Sequence, residues 1–212
     1  MDDLGGLFVT FEGVEGAGKT TQIAMLRTYL QQEGYSVCVT REPGGDAVAE
    51  TVRRLLLESE VSPRTELLLF LASRAQNVES VIRPHLAQNG IVLCDRYIDS
   101  SIAYQGCARG LGRETVFQLN TFAIANVIPH VTFLLDICPS IGLARQMDRN
   151  RMEAESLAFH QLVREGFLRE AANYPERFCV LDALLSATEL HEAITDRVRL
   201  SLTGRRLARS AD

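Results

Sequence analysis

Gly13-Val14-Glu15-Gly16-Ala17-Gly18-Lys19-Thr20 has the residue types and the spacing to hold phosphate. It satisfies G-x-x-x-x-G-K-[ST], a pattern that carries meaning only between a strand and a helix. Leu7-Phe8-Val9-Thr10-Phe11 before it is a short apolar, β-branched and aromatic run, as a buried strand should be. After it, Ile23, Leu26 and Leu30 recur at helical spacing. The glycines let backbone N–H groups turn inward around a phosphate, and the helix N-terminus adds the positive end of its dipole. Lys19, the sole lysine of the chain, can address β- and γ-phosphates as a point charge, and the Thr20 hydroxyl can ligate magnesium. These residues predict a nucleotide-binding protein.

Further polar clusters follow other apolar runs. Thr40-Arg41-Glu42-Pro43-Gly44-Gly45 ends a second strand and Asp95-Arg96-Tyr97 a third. An acid at such a position suggests the partner that holds magnesium through water, so Thr20 and Asp95 are the expected metal residues. Two phosphate-type clusters suggest two phosphorylated substrates. A guanine-reading [NT]-K-x-D motif is impossible, because the one lysine already sits in the loop. Transfer between two nucleotides is the reading that remains.

Positioning these clusters falls to alternating strand and helix signals. Strands are expected at Leu7–Phe11, Tyr35–Thr40, Ile91–Cys94, Val131–Asp136 and Phe178–Leu181. Ser62-Pro63 predicts a helix start, and that helix runs past Arg74 towards Pro84. Tyr104, Gln105, Gly106 and Gly110 predict a loop, followed by helices near 114–125, 155–172 and 187–202. Near-continuous apolar strands separated by helices predict a three-layer α/β fold, a five-stranded parallel sheet covered on both faces. Ligands of such sheets gather at the carboxyl ends of the strands, where the polar clusters fall. With 212 residues and no linker or repeat, one domain over 1–212 is expected.

Composition sets the bounds. Hydrophobic content of 46%, charged content of 23% and a net charge of −5 describe an ordinary globular chain with no global field for nucleic acid or anionic membranes. No apolar run approaches the roughly 20 residues of a membrane span, and the acidic opening predicts no signal peptide. The five cysteines are scattered, with no C-x-x-C pair, and predict reduced core thiols in a cytoplasmic protein.

In order along the chain, Glu12–Thr20, Thr40–Gly45, Leu69-Phe70-Leu71-Ala72-Ser73-Arg74-Ala75-Gln76, Asp95-Arg96-Tyr97-Ile98-Asp99-Ser100-Ser101-Ile102-Ala103-Tyr104-Gln105-Gly106 and Leu181-Asp182-Ala183 resemble the thymidylate kinase family. The resemblance runs from about residue 7 to 200, and the Asp-Arg-Tyr block is its specific part. It implies a phosphate-loop NTPase fold and a magnesium-dependent transfer of the ATP γ-phosphoryl group to dTMP. The ATP contacts it implies are Gly13, Val14, Glu15, Gly16, Ala17, Gly18, Lys19, Thr20 and Thr21. For dTMP it implies Phe70 stacked on thymine, Arg74 donating to an exocyclic oxygen, Arg96 with Arg41 on the monophosphate, and Glu15 and Gln105 at sugar and base. Tyr104 would stand where a ribose 2′-hydroxyl would sit, with Glu42, Pro43, Ser100 and Ser101 completing the pocket. A homodimer is the family's expectation, with no nucleic-acid or membrane partner. Another nucleotide or deoxynucleoside kinase, or a regulatory nucleotide binder with an inactive lid, are the competing readings.

The chain departs from the family pattern at Asp46, His130 and Ser140, and Asp46 is expected to cap the helix after it. The lid, about 145–155, is short and carries Asn150-Arg151 in place of an Asp-Arg pair. With no arginine inside the phosphate loop, the cation on the γ-phosphate is expected from Arg145, Arg149 or Arg151, with Arg149 and Arg151 preferred. The expected catalytic set is therefore Lys19, Arg96, Arg149 and Arg151.

Overall fold

A computed structural model describes residues 4–145 and 151–209. Strands β1 (Leu7–Glu12), β2 (Val37–Arg41), β3 (Ile91–Asp95), β4 (Val131–Asp136) and β5 (Phe178–Asp182) form one parallel sheet in the order β2-β3-β1-β4-β5. The helices are α1 (Lys19–Gln32), α2 (Ala47–Glu58), α3 (Pro63–Asn77), α4 (Arg83–Ala87), α5 (Ile98–Ser101), α6 (Arg113–Ile124), α7 (Pro139–Ala144), α8 (Leu157–Asn173) and α9 (Ala187–Leu202).

Inner strands β1, β3 and β4 are buried almost throughout, which requires cover on both faces. Successive side chains of a strand point to opposite faces. Leu7, Val9 and Phe11 accordingly meet Leu26 of α1, Phe167 of α8 and Ile194 of α9. Phe8 on the other face joins Val92, Cys94, Tyr97 and Ile82. Thr10 and Glu12 share that second face, both fully buried. The expected sheet and its two helical layers are therefore present.

Local signals hold at the helix starts. Ser62 caps α3 by accepting from Thr65 N–H, with Pro63 in the first turn. The Asp46 carboxylate caps α2, accepting from Ala49 N–H at 2.8 Å. Each satisfies a backbone donor that the helix itself leaves unpaired.

Three expectations need correction. Residues 102–108, predicted as a loop, form a π-helical turn continuing α5. Its glycines suggested irregular chain, but burial of Ile102, Ala103, Tyr104 and Gln105 keeps it helical. Gly166 of α8 allows this: a Cβ there would lie 2.9 Å from the Ala103 Cα. The helix through Arg74 also changes character, with a π turn over Val78–Ile82 before α4. Pro84 in α4 has no N–H to return along the helix, so a regular α ladder cannot run through it. Finally, only Cys94 of the five thiols is buried; Cys38, Cys107 and Cys179 are half-buried and Cys138 is exposed, all of them free. Cys38 and Cys179 lie on the edge strands, packed against the margins of the two core clusters, and Cys138 lies just before α7.

Candidate active site

Strand register aligns Asp95 with Phe11 on one side and with Arg41 on the other, so the chain leaves β1, β2 and β3 at one edge. The loop after β1 turns through Gly13 (φ 139°), Gly16 (φ 69°) and Gly18 (φ 92°), a region open to glycine. Lys19, at the start of α1, is buried and donates to the Gly13 and Val14 carbonyls, both at 3.2 Å. Burial, then the nearby Arg96 charge, pulls its ammonium below the usual lysine range. The Thr20 hydroxyl donates to the Asp95 carboxylate at 3.2 Å.

The loop abuts α7 with no room between them. A Cβ on Gly16 would lie 2.0 Å from the Gly142 carbonyl oxygen, and one on Gly142 would lie 2.2 Å from that of Glu15. Arg145, one turn beyond Gly142, sends Nη1 to the Gly16 carbonyl at 3.0 Å.

Arg96 holds a left-handed φ of 70°, kept there by its N–H donating to Phe11 O at 3.0 Å. Its guanidinium donates to Gly13 O at 3.0 Å, Ser100 Oγ at 3.2 Å and Glu15 Oε1 at 2.7 Å. Tyr104 completes the cluster, its ring under the Arg96 guanidinium and its hydroxyl donating to Glu15 at 2.9 Å. Burial alone would raise the Glu15 carboxyl, but the Arg96 and Lys19 charges bring it down to about 2.

Beneath lies a buried network that motif reading passed over. Glu12 accepts from the N–H of Tyr97 at 2.8 Å and the hydroxyl of Ser100 at 2.6 Å. Burial, then the Asp99 charge, pushes its carboxyl up to about 8. Asp99 takes a forked pair of bonds from Arg177 at 2.8 and 2.7 Å, and Arg177 also donates to Thr132. The available signal was Glu12 on the same strand face as Phe8, a charged residue where an apolar one belongs.

Two adjoining clefts open at this edge. Glu15, Gly16, Ala17, Gly18, Lys19, Thr20 and Thr21 line the first, with Arg41, Asp95 and Arg145. The second is lined by Pro43, Phe70, Arg74, Ser100, Ser101, Tyr104, Gln105 and Met152. Glu15, Glu42, Arg53, Arg96 and Glu153 line both. Arg74 is 1% exposed; it donates to Glu42 at 2.6 Å, to Ser101 at 2.8 Å, to Tyr97 O at 2.9 Å and to Asn120 Oδ1.

Sequence reading and geometry differ over three arginines. Arg41 lines the first cleft rather than the second and pairs with Glu50 at 3.0 Å. Arg53, not singled out from sequence, stands at the shared wall and donates to Pro43 O at 2.8 Å. Arg151 turns away from the phosphate loop, donating to Leu56 O at 3.0 Å and Glu66 at 2.8 Å. Arg149 lies outside the described residues.

One cleft thus offers a lysine, four arginines (Arg41, Arg53, Arg96 and Arg145) and inward-turned backbone for a polyphosphate, and the other an aromatic face with buried polar groups. Among the described residues no group of three or more His, Cys, Asp or Glu could cage a metal ion. A hydroxyl and one carboxylate side by side fit magnesium, which keeps waters and takes substrate phosphates as ligands.

Residues 11–194 match the family model described as thymidylate kinase. The thymidylate kinase of Geotalea uraniireducens (strain Rf4) is 46% identical over 205 residues, covering 91% of this chain and 96% of the relative. That of Solidesulfovibrio magneticus (strain ATCC 700980 / DSM 13731 / RS-1) is 48% identical over 201 residues, covering 89% and 96%. The crystal structure of thymidylate kinase from Ehrlichia chaffeensis superposes with a TM-score of 0.76 at 35% identity, covering 91% of this chain and 98% of that one.

Proposed function

The chain belongs to the thymidylate kinase family, and we infer that it transfers the γ-phosphoryl group of ATP to dTMP, giving dTDP and ADP on the way to dTTP. The observation that carries the assignment of the two clefts is their shared wall, where Arg53 and Arg96 face both. Transfer in line requires donor and acceptor phosphates to meet at one cationic boundary.

An oxygen of the dTMP phosphate forms a bond to the γ-phosphorus as the bond to the β,γ-bridging oxygen breaks. That nucleophile is already anionic, so the side chains act by positioning and charge neutralisation rather than as a base. Gly13, Val14, Gly16, Ala17, Gly18 and Thr21 shape the ATP phosphate cradle, with Lys19 on the β- and γ-phosphates. Arg96 holds the acceptor phosphate, kept in orientation by Glu15, Gly13 O and Ser100. Arg53 joins it in the role expected of Arg41, supported by its place on the shared wall. Arg145 supplies the lid cation in preference to Arg149 and Arg151, supported by its contact with Gly16.

Phe70 stacks on thymine. Arg74 has five N–H groups, and the bonds to Glu42, Ser101, Asn120 and Tyr97 O leave one for the exocyclic oxygen. Tyr104 and Glu15 read the sugar, while Pro43 and Gln105 bound the base. The Thr20 hydroxyl and the Asp95 carboxylate would hold magnesium. Bound there, the ion neutralises charge on the β- and γ-phosphates.

The same reading takes the chain as one domain working in the cytoplasm as a homodimer without nucleic acid. The net charge of −5 supports the last point. No helix among the described residues is long and apolar enough to cross a membrane. The dimer is supported by exposed apolar side chains on neighbouring α2, α3 and α6: Val48, Leu55, Leu68 and Phe122, the last 89% exposed. A monomer in equilibrium sedimentation at micromolar concentration would remove that part.

ADP release from ATP over a panel of nucleoside monophosphates tests the whole. The highest kcat/KM is expected with dTMP. Preference for another monophosphate, or ATP binding with no dTMP-dependent ADP release, overturns the reading in favour of another kinase or a regulatory binder.

A further inference from the structure

We propose that Glu66 is a positioning residue of the acceptor site: through Arg151 and Arg109 it seats the returning arm of the lid against the acceptor cleft, so that the two arms of the lid serve different substrates. The proposal rests on the second cleft taking dTMP.

Glu66 lies in the first turn of α3 and is 1% exposed. Its carboxylate collects an unusual number of donors. Oε1 accepts from Gln105 Nε2 at 2.9 Å and Arg109 Nε at 3.2 Å. Oε2 accepts from Arg109 Nη2 at 3.2 Å and Arg151 Nη2 at 2.8 Å. That fills the roughly four acceptor positions a carboxylate has. Burial opposes the charge, yet the bonds from Gln105, Arg109 and Arg151 hold the carboxyl below its usual range. A buried carboxylate this fully matched has one stable arrangement of its partners, because losing any of them strands charge away from water.

The partners come from separate parts of the chain. Gln105 lines the acceptor cleft itself. Arg151 opens the arm leading into α8 and also donates to Leu56 O near the end of α2, where helix carbonyls lack internal partners. Met152 and Glu153, immediately beyond, line the cleft. Arg109 then takes Glu155 at 2.6 Å and lies over the Phe159 ring, pinning the far end of the same arm. Residues 151–155 are thereby fastened at both ends to the walls of the acceptor site. At the other end of the lid, Arg145 touches the phosphate loop instead. One arm therefore belongs to the donor and the other to the acceptor.

A hub that only stabilised the fold would lower melting temperature and leave the kinetic constants of the surviving enzyme alone. A seat for the acceptor's wall should weaken dTMP binding while sparing the chemical step. The test measures the dTMP dissociation constant by calorimetry, together with kcat and the KM for ATP, in Arg151→Gln, Glu66→Gln and the double variant. Each single variant is expected to weaken dTMP by about tenfold or more while kcat and the ATP KM stay within about threefold. The double variant should lose less than the sum of the two single ones, since the Glu66–Arg151 contact is broken in both. Arg151→Lys should recover part of the loss. If Glu66→Gln does not fold, the half-buried Arg151 variants decide alone. Unchanged dTMP affinity in an enzyme that still turns over dTMP overturns this inference by itself, as does a fall in kcat at constant affinity, which would return Arg151 to the γ-phosphate. Wild-type enzyme that binds no dTMP overturns the acceptor assignment and this proposal together.

Discussion

Which arginine serves the transferring phosphoryl group is decided by a few ångströms. Charge grows on the γ-phosphate oxygens during transfer, and an arginine aimed there is worth about 10³–10⁵ in kcat in phosphoryl-transfer enzymes. Arg145 reaches Gly16 O at 3.0 Å from an exposed position, free to swing from a carbonyl to a phosphate. Arg151 is committed to Glu66 and Leu56 O. Arg145→Ala is therefore expected to lower kcat by about 10²-fold or more, with dTMP affinity nearly unchanged. Steady-state kinetics with each substrate varied reads this directly. A variant near wild type in kcat would move the role to another arginine.

At the scale of elements, the short helix α7 packs directly against the loop between β1 and α1. Its contact with the loop runs through glycine on both sides, Gly16 and Gly142, where either added Cβ would come within 2.2 Å of a backbone oxygen. The opposing oxygen is that of Glu15, next to the Gly13 and Val14 carbonyls that hold Lys19, so it cannot yield without disturbing the loop proposed to cradle the donor phosphates. Gly142→Val should consequently raise the ATP KM and lower kcat. Overpacking of this kind costs about 1–3 kcal/mol, so the melting temperature should fall by only a few degrees. Stability near normal alongside a damaged ATP site is the expected pattern, with a smaller loss of dTMP affinity because Glu15 lines both clefts, measured by thermal unfolding and kinetics. An ATP KM unaffected by the Gly142→Val substitution would mean that the loop tolerates the displacement. The π turn over Ile102–Ala108 is a second positioning element, presenting Tyr104 and Gln105 together to the acceptor cleft. Such widened turns recur at functional sites.

For the molecule as a whole, the buried Glu12 and the half-buried Glu15 set opposite dependences of stability on pH. Folded Glu12 keeps its proton up to about 8, whereas in the unfolded chain it loses it near 4.5. Unfolding across that window releases a proton, so stability contributed by Glu12 falls as pH rises, by at most about 1.4 kcal/mol per pH unit. Glu15 is the reverse, since its folded value is about 2. Its contribution is complete above 4.5 and is lost as pH falls towards 2. Glu12→Gln should flatten the decline of melting temperature between pH 5 and 8 and leave the acid limb in place. Calorimetric scans over that range check it. An unaltered decline would assign it to other groups.

The amino-acid sequence by itself determined the architecture and the kind of chemistry. Apolar runs such as Val131–Asp136 pointed to inner parallel strands, which the sheet bears out, and Gly13–Thr20 between a strand and a helix carried the pattern from which phosphate binding is proposed. Local rules sufficed there because the information is local: period, caps and the φ that glycine allows. Tertiary structure decided the partners. Arg41, Arg53, Arg145 and Arg151 are the same residue type, and nothing in their spacing tells which meets Glu50, the shared wall, Gly16 or Glu66. Those contacts join segments far apart in the chain, Glu66 to Arg151 or Asp99 to Arg177, and a long guanidinium side chain settles on whichever carboxylate folding brings within reach. The buried Asp99–Arg177 pair is of the same kind, a charge tolerated inside only once packing has supplied the partner, whereas Glu12, with no cation paired to it among the described residues, keeps its proton and bonds Ser100.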